Sequence, residues 1–210
     1  PNNLDIIDIP LEKKFTPGIV NKETGSASFN WLSNATNIVL EEKARALVTA
    51  PISKIAWQKA GHKFAGQTEL LSKLTNTKTS MLFTAVSPKN KWRFNTLLAT
   101  THIPFNKIKV NLSKELIREK LDILLEFCLK FTNKPIIHVA GLNPHAGEEG
   151  MLGEEEQNWI IPIVNEWKSN HPTVEVCGPI PPDSCWITAA NAWKGEMNNK
   201  TPDGILALYH

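Results

Sequence analysis

A chain of 210 residues that is 41% hydrophobic is long enough for one large domain, or two small ones, with a proper core. Its 23 basic and 21 acidic side chains leave a net charge of +2, and the basic residues are scattered, which argues against nucleic acid or an acidic membrane surface as partner. The longest apolar runs are strand-sized and no basic or apolar targeting segment opens the chain, so a cytoplasmic protein without a membrane span is expected.

Residues 1–32, with Pro1, Pro10, Pro17, Gly18 and Gly25, read as a partial N-terminal segment of an α/β domain, made of a strand and loops. Residues 33–210 read as a central α/β region. Ser33 or Asn34 can cap a helix running to about Ala46, and Leu47-Val48-Thr49-Ala50 reads as a short buried strand stopped by Pro51. A helix opens just after Gly66 and covers Thr68 to Leu74. Two strands follow, Ser80 to Val86 and Phe94 to Thr100, with a polar turn around Pro88. Ser113 to Phe131 is the clearest helix, with Ile117, Leu121, Leu124, Leu125 and Cys128 on one face. Pro135 to Ala140 is an apolar strand, and Glu154 to Lys168 is a helix with three acids in its first turn and a kink expected at Pro162. Strands at Val174 to Cys177 and Gly204 to Leu208, with a helix from Ser184 to Trp193 between them, complete an alternating α/β pattern.

Three apolar runs end close to a histidine: His102, His145 and His210. If the runs are parallel strands of one sheet, the imidazoles gather at its carboxyl edge, where α/β proteins place ligands and where three such donors suit a divalent metal. Taken one at a time, each also reads as a hydrogen-bonded structural residue. Asn143-Pro144-His145-Ala146-Gly147-Glu148-Glu149-Gly150 is the densest local signal, a loop of constrained backbone that can fix the direction of an imidazole. His138 reads as a satisfied core residue, His171 as solvated in a polar turn, and His62 stays open between structural and functional roles.

Lys54, directly after Pro51-Ile52-Ser53, is placed to neutralise a carboxylate or phosphate, or is simply exposed. Gly66-Gln67-Thr68-Glu69 at a helix start suits an anion, with Thr68 as a plain N-cap the alternative. Asp183 follows the stiff segment Gly178 to Pro182 and faces the same edge or caps the next helix. No G-x-G-x-x-G or P-loop is present, so spacing reveals no nucleotide cofactor. Cys128, Cys177 and Cys185 lack C-x-x-C spacing and read as buried or free thiols, and the seven tryptophans read as packing residues.

Val48-Thr49-Ala50-Pro51-Ile52-Ser53-Lys54, Ala60-Gly61-His62 through Gly66-Gln67-Thr68-Glu69, Thr100-Thr101-His102-Ile103-Pro104, Gly141 through Glu148 and Leu206 through His210 occur in the order found in the 4-hydroxythreonine-4-phosphate dehydrogenase (PdxA) family. The chain resembles that family over nearly its whole length after about Phe15. The resemblance implies an α/β, isocitrate/isopropylmalate dehydrogenase-like fold of two α/β domains around a cleft, incomplete in this chain, in a homodimer. It implies His102, His145 and His210 as ligands of a divalent ion at a site shared between subunits. Zn2+ is favoured by the imidazole donors, with Mg2+, Mn2+ or Co2+ as alternatives. Gln67 and Thr68 match substrate-binding positions, and Asp183 matches an acidic residue of the family's active-site region.

The implied reaction is a metal-dependent oxidation by NAD(P)+ and decarboxylation of a small phosphorylated hydroxy amino acid, 4-phosphooxy-L-threonine, to 3-amino-2-oxopropyl phosphate, in pyridoxal 5'-phosphate biosynthesis. Gln67 stands where many family members have histidine, and glutamine cannot carry a proton at neutral pH. The alternative substrates are therefore 4-phosphothreonate and 4-phosphoerythronate, and a further alternative is an inactive family member. The family's N-terminal glycine-rich strand and the Asp-Gln and phosphate-binding continuation after His210 are absent. A fragment with weak or no activity is therefore expected.

Overall fold

The computed structural model describes residues 5–11, 14 and 16–210; Pro1 and Phe15, both named above, lie outside the described residues. The chain divides into two units, residues 1–79 and 80–210.

In the first unit, α1 (Lys22–Leu40), α2 (Lys54–Lys59) and α3 (Gln67–Thr75) surround a core of Leu32, Trp57 and Leu70. Helix α1 begins well before the expected Ser33 or Asn34, so position 32 lies inside it. Asn21 caps it, accepting from the Thr24 N–H at 2.9 Å while the Thr24 side chain receives the Asn21 N–H. Gly25, which reads as a loop residue, is a buried position within α1 where a Cβ would lie 2.0 Å from the Ala56 carbonyl oxygen, so the glycine admits α2 to close approach. The helix ends at Leu40 instead of near Ala46. Leu47 to Ala50 has no regular secondary structure and pairs with no strand among the described residues, and Val48 is 95% exposed, contrary to the buried strand expected there.

The second unit is a five-stranded sheet: β1 (Leu82–Val86), β2 (Arg93–Leu98), β3 (Ile136–Ala140), β4 (Glu175–Ile180) and β5 (Gly204–Ala207), in the order β1-β2-β5-β3-β4. Strand β1 pairs antiparallel with β2, and every other neighbouring pair is parallel. Across the sheet, Leu97, Leu206 and Val139 lie in one register row. They pack with Ile117, Leu121 and Leu124 of α5 (Lys114–Cys128) and Ile163, Val164 and Trp167 of α6 (Ile161–Asn170). Thr96, Ile205 and His138 form the alternate row, and Ile205 packs with Ala189 and Ala192 of α7 (Ile187–Lys194). The short helix α4 (Ile108–Asn111) precedes α5, whose N-cap is Ser113 as expected.

The kink expected at Pro162 takes the form of a single π-helical turn, Glu156–Ile160, immediately before α6, with Pro162 in the first turn of that helix. Proline has no N–H to give to the preceding turn, so the hydrogen-bond register can widen there without loss. Among the described residues no helix is long and apolar enough to cross a membrane.

Candidate functional site

The topology brings the carboxyl ends of β2, β5, β3 and β4 to one edge of the sheet, with β2, β5 and β3 as immediate neighbours. His102, His210 and His145 follow these three strands in turn. Beyond the ladder, the Ala99 N–H donates to the Ala207 carbonyl at 2.8 Å and the Thr100 hydroxyl to the Leu208 carbonyl at 2.8 Å. These bonds hold the β2 and β5 extensions side by side and set the His102 and His210 rings edge to face, 5.5 Å apart. Both histidines are exposed, and His102 has a φ of 54°, in the left-handed region that polar side chains enter more readily than branched ones.

His145 lies on the loop that leaves β3. From His145 to Glu149, five successive residues have positive φ, at 51°, 53°, 83°, 43° and 55°, and only the third is glycine. A left-handed turn costs roughly 1–2 kcal/mol for each non-glycine residue, so such a loop persists only where its surroundings impose it. Glu156, fully buried on the π turn, supplies that surrounding: its carboxylate accepts from the backbone N–H of Leu142 at 2.7 Å and of Asn143 at 2.8 Å, and from Asn143 Nδ2 at 2.7 Å. Glu155 also accepts from Asn143 Nδ2, at 2.8 Å, and pairs with Lys109. The Lys109 hydrogen bond, followed by that of Asn143, holds the Glu155 carboxyl down at about 2. The His145 Nδ1 faces the Glu148 carboxylate at 3.3 Å; a carboxylate can only accept, so Nδ1 is the donor of this pair, and in a neutral ring so bonded Nε2 is the nitrogen with the free lone pair.

Imidazoles at a strand-end edge, one of them facing a carboxylate, are of a donor type suited to a divalent ion. His102 and His210 are close neighbours; no three histidine, cysteine, aspartate or glutamate residues converge into a metal-holding group within the chain, among the described residues. Asp183 is exposed in the turn that follows β4 at the same edge, and it does not cap α7, whose N-cap is Trp186. In the first unit, Gln67 opens α3 and donates to the Ala50 carbonyl at 2.8 Å, while Thr68 is exposed in the first turn. The N-cap of α3 is Gly66, with no side-chain capping bond, so Thr68 is not the cap. Lys54 is exposed at the start of α2, whose cap is Ser53.

The remaining histidines differ from what their neighbourhoods in the sequence imply. His138 is buried, as its apolar run implies, but it is only partly satisfied: it has a hydrogen bond with the Lys200 backbone while Nδ1 lacks a partner. His171 stacks on Trp167 with centroids 3.9 Å apart and pairs with the Trp167 carbonyl, so it is not simply solvated. His62 stacks on Phe29 at 3.6 Å, and burial lowers its pKa. All three cysteines are free; burial pushes the Cys128 thiol up to about 12 and the Cys185 thiol up to about 11. The acids at 154–156 read from sequence as favourable charges on a helix dipole. Their role in bracing the loop depends on the turn of chain that returns Glu156 to Asn143, thirteen residues away, which periodicity does not reveal.

A mostly parallel α/β sheet with ligand-type side chains along its carboxyl edge defines the class, and solved structures place it more finely. A 4-hydroxythreonine-4-phosphate dehydrogenase from Klebsiella pneumoniae superposes with a TM-score of 0.80 at 33% identity, covering 97% of this chain and 58% of that one. The fold is therefore part of the isocitrate/isopropylmalate dehydrogenase type.

The sequence pattern of the family described as pyridoxal phosphate biosynthetic protein PdxA matches residues 1–210, and the chain belongs to that family. A 4-hydroxythreonine-4-phosphate dehydrogenase from Synechococcus sp. strain RCC307 is 49% identical over 212 residues, which are 100% of this chain and 65% of that relative. A D-threonate 4-phosphate dehydrogenase from Pectobacterium atrosepticum is 35% identical over 100% of this chain and 61% of its own length. The chain thus spans somewhat under two thirds of the length of these relatives.

Proposed function

We propose that the whole protein is a 4-hydroxythreonine-4-phosphate dehydrogenase, oxidising 4-phosphooxy-L-threonine with NAD(P)+ and releasing 3-amino-2-oxopropyl phosphate and carbon dioxide. The observation that carries this reading is the alignment of His102, His210 and His145 behind three adjacent strands, in a chain of this family. A divalent ion held by these imidazoles, Zn2+ by donor preference, would polarise the substrate hydroxyl and then the oxo group formed from it.

The chain's own groups do the rest. Glu148 accepts from His145 Nδ1, which leaves Nε2 of the neutral ring as the nitrogen that would face the ion. Gln67 and Thr68 bind the substrate through neutral hydrogen-bonding groups, and Asp183 is the acid-base candidate at the sheet edge. The substrate's C3 hydride passes to NAD(P)+ as the hydroxyl proton leaves, and the resulting 3-oxo acid loses its carboxylate as carbon dioxide and takes up a proton at C2.

A second reading, favoured by Gln67 and by the D-threonate 4-phosphate dehydrogenase relative, is the same chemistry on 4-phosphothreonate or 4-phosphoerythronate. The subunits pair and share the metal site in either case. The test is NADH or NADPH formation by the protein extended to its relatives' length, on each of the three substrates, before and after chelation and Zn2+ readdition. Turnover on 4-phosphooxy-L-threonine that vanishes on chelation and returns with metal is expected, and His145→Ala should lower it by at least about a hundredfold with the protein still folded. Preferential turnover of another substrate would establish the second reading. Turnover of none would establish an inactive family member.

A further inference from the structure

We propose that Glu156 is a positioning residue: its buried carboxylate clamps the Asn143–Gly153 loop and so aims the His145 imidazole, a role that rests on His145 being a ligand. Three facts meet at this side chain. It is completely buried on a π-helical turn, a local widening often found at functional sites. Its partners are the root of the loop: two consecutive backbone N–H groups, of Leu142 and Asn143, and the Asn143 side chain, all within 2.8 Å. The middle of the loop passes close by it, leaving no room for a side chain there, since a Cβ on Gly147 would lie 3.0 Å from Glu156 Oε2 and 2.5 Å from the Gly153 carbonyl oxygen.

The left-handed turn from His145 to Glu149 is therefore anchored just before its start, at Leu142 and Asn143, and its centre passes close to the same carboxylate. The inner bonds of the loop, from Met151 N–H to the Glu148 carbonyl at 3.1 Å and from Leu152 N–H to the Gly147 carbonyl at 3.0 Å, close it on itself without fixing it to the sheet. Its root is held to the π turn by Glu156, with Glu155 as a second acceptor for Asn143 Nδ2, and to β4 by the Gly141 N–H, which donates to the Ile180 carbonyl at 2.7 Å. A neutral glutamine in place of Glu156 would turn an NH2 group towards either the backbone donors or Asn143 Nδ2. Donor would then face donor, and the buried backbone or side-chain N–H would lose its acceptor.

The experiment uses the full-length protein and compares Glu156→Gln with Ile160→Val, a buried truncation on the same π turn that touches no part of the loop's hydrogen bonding. Zn2+ affinity is measured by competition with a chromogenic chelator, and amide exchange is followed over residues 143–152. Glu156→Gln should weaken Zn2+ binding by about 10- to 100-fold and speed exchange in that segment, as removal of a group that orients a ligand does. Ile160→Val should leave both within about twofold of wild type while lowering the melting temperature. Should Glu156→Gln fail to fold, Asn143→Ala, which keeps the carboxylate's two backbone donors, should show the same loss in milder form. Wild-type affinity and exchange in Glu156→Gln would overturn the proposal, and so would an equal loss in Ile160→Val, which would reduce Glu156 to general stability. His145→Ala separates the two readings: if it retains wild-type Zn2+ affinity, the ligand assignment fails and loop exchange in Glu156→Gln alone decides for or against the clamp.

Discussion

His138 stands in β3 with 4% of its surface exposed and Nδ1 without a partner, and burial lowers its pKa below the usual 6.5 while a hydrogen bond with the Lys200 backbone opposes the shift in part. The unfolded chain takes up a proton at about pH 6.5 whereas the folded one resists it, so between those two values the unfolded state binds more protons. The contribution of His138 to stability is therefore complete above pH 6.5 and is lost as the pH falls from 6.5 towards the lowered folded value. The melting temperature should drop between pH 7 and pH 5, and His138→Phe, nearly the same in shape, should flatten that slope. An unchanged slope in the variant would assign the pH dependence to other groups. At this scale the sequence disclosed much: a histidine within an apolar run is a buried histidine, and the three strands that lead to His102, His210 and His145 do end at one sheet edge. The left-handed backbone at His102 and His145 was not legible, because neither residue type announces a positive φ as glycine does.

Elements were legible where one physical signal dominated. In α5 an apolar face at three- and four-residue spacing and a serine cap agree, and the observed helix differs from the expected one by only a few residues at its C-terminal end. In α1 the signals conflict, because Gly25 marks a loop by propensity yet serves a close helix contact, and only the tertiary structure decides. This gives a prediction of unusual sign. Replacing a helix-interior glycine by alanine ordinarily gains about 1 kcal/mol. Gly25→Ala should instead destabilise the first unit by about 1–3 kcal/mol, since its Cβ would meet the Ala56 carbonyl at 2.0 Å and α2 must move. A denaturant midpoint at or above that of the wild type would show that α2 yields without cost. The stretch at Leu47 to Ala50 is not a strand for a related reason: an apolar run supplies the side chains of a strand, but a strand also needs a neighbour, and periodicity does not report one.

At the scale of the whole molecule, one chain sets His102 and His210 side by side, while no group of three potential ligands forms among its described residues. If the proposed ion has three imidazole ligands and the site is shared, the pair comes from one subunit and His145 comes from the other. Mixed dimers can test that division. In a dimer of one His145→Ala chain and one His210→Ala chain, one of the two sites keeps an intact His102 and His210 pair from the first chain and an intact His145 from the second. The other site loses both. Each variant alone should be inactive, and random re-pairing of equal amounts of the full-length variants should restore about a quarter of the wild-type rate, since half the dimers are mixed and each carries one good site. Ligands drawn entirely from a single chain would give no restoration, because every site would then contain one of the two substitutions. The parallel order β2-β5-β3 makes the second outcome a real competitor, since it already delivers all three strand ends of one chain to a single edge. What separates the two outcomes is the direction in which the His145 loop points its ring, and that direction is set by the left-handed turn that Glu156 holds.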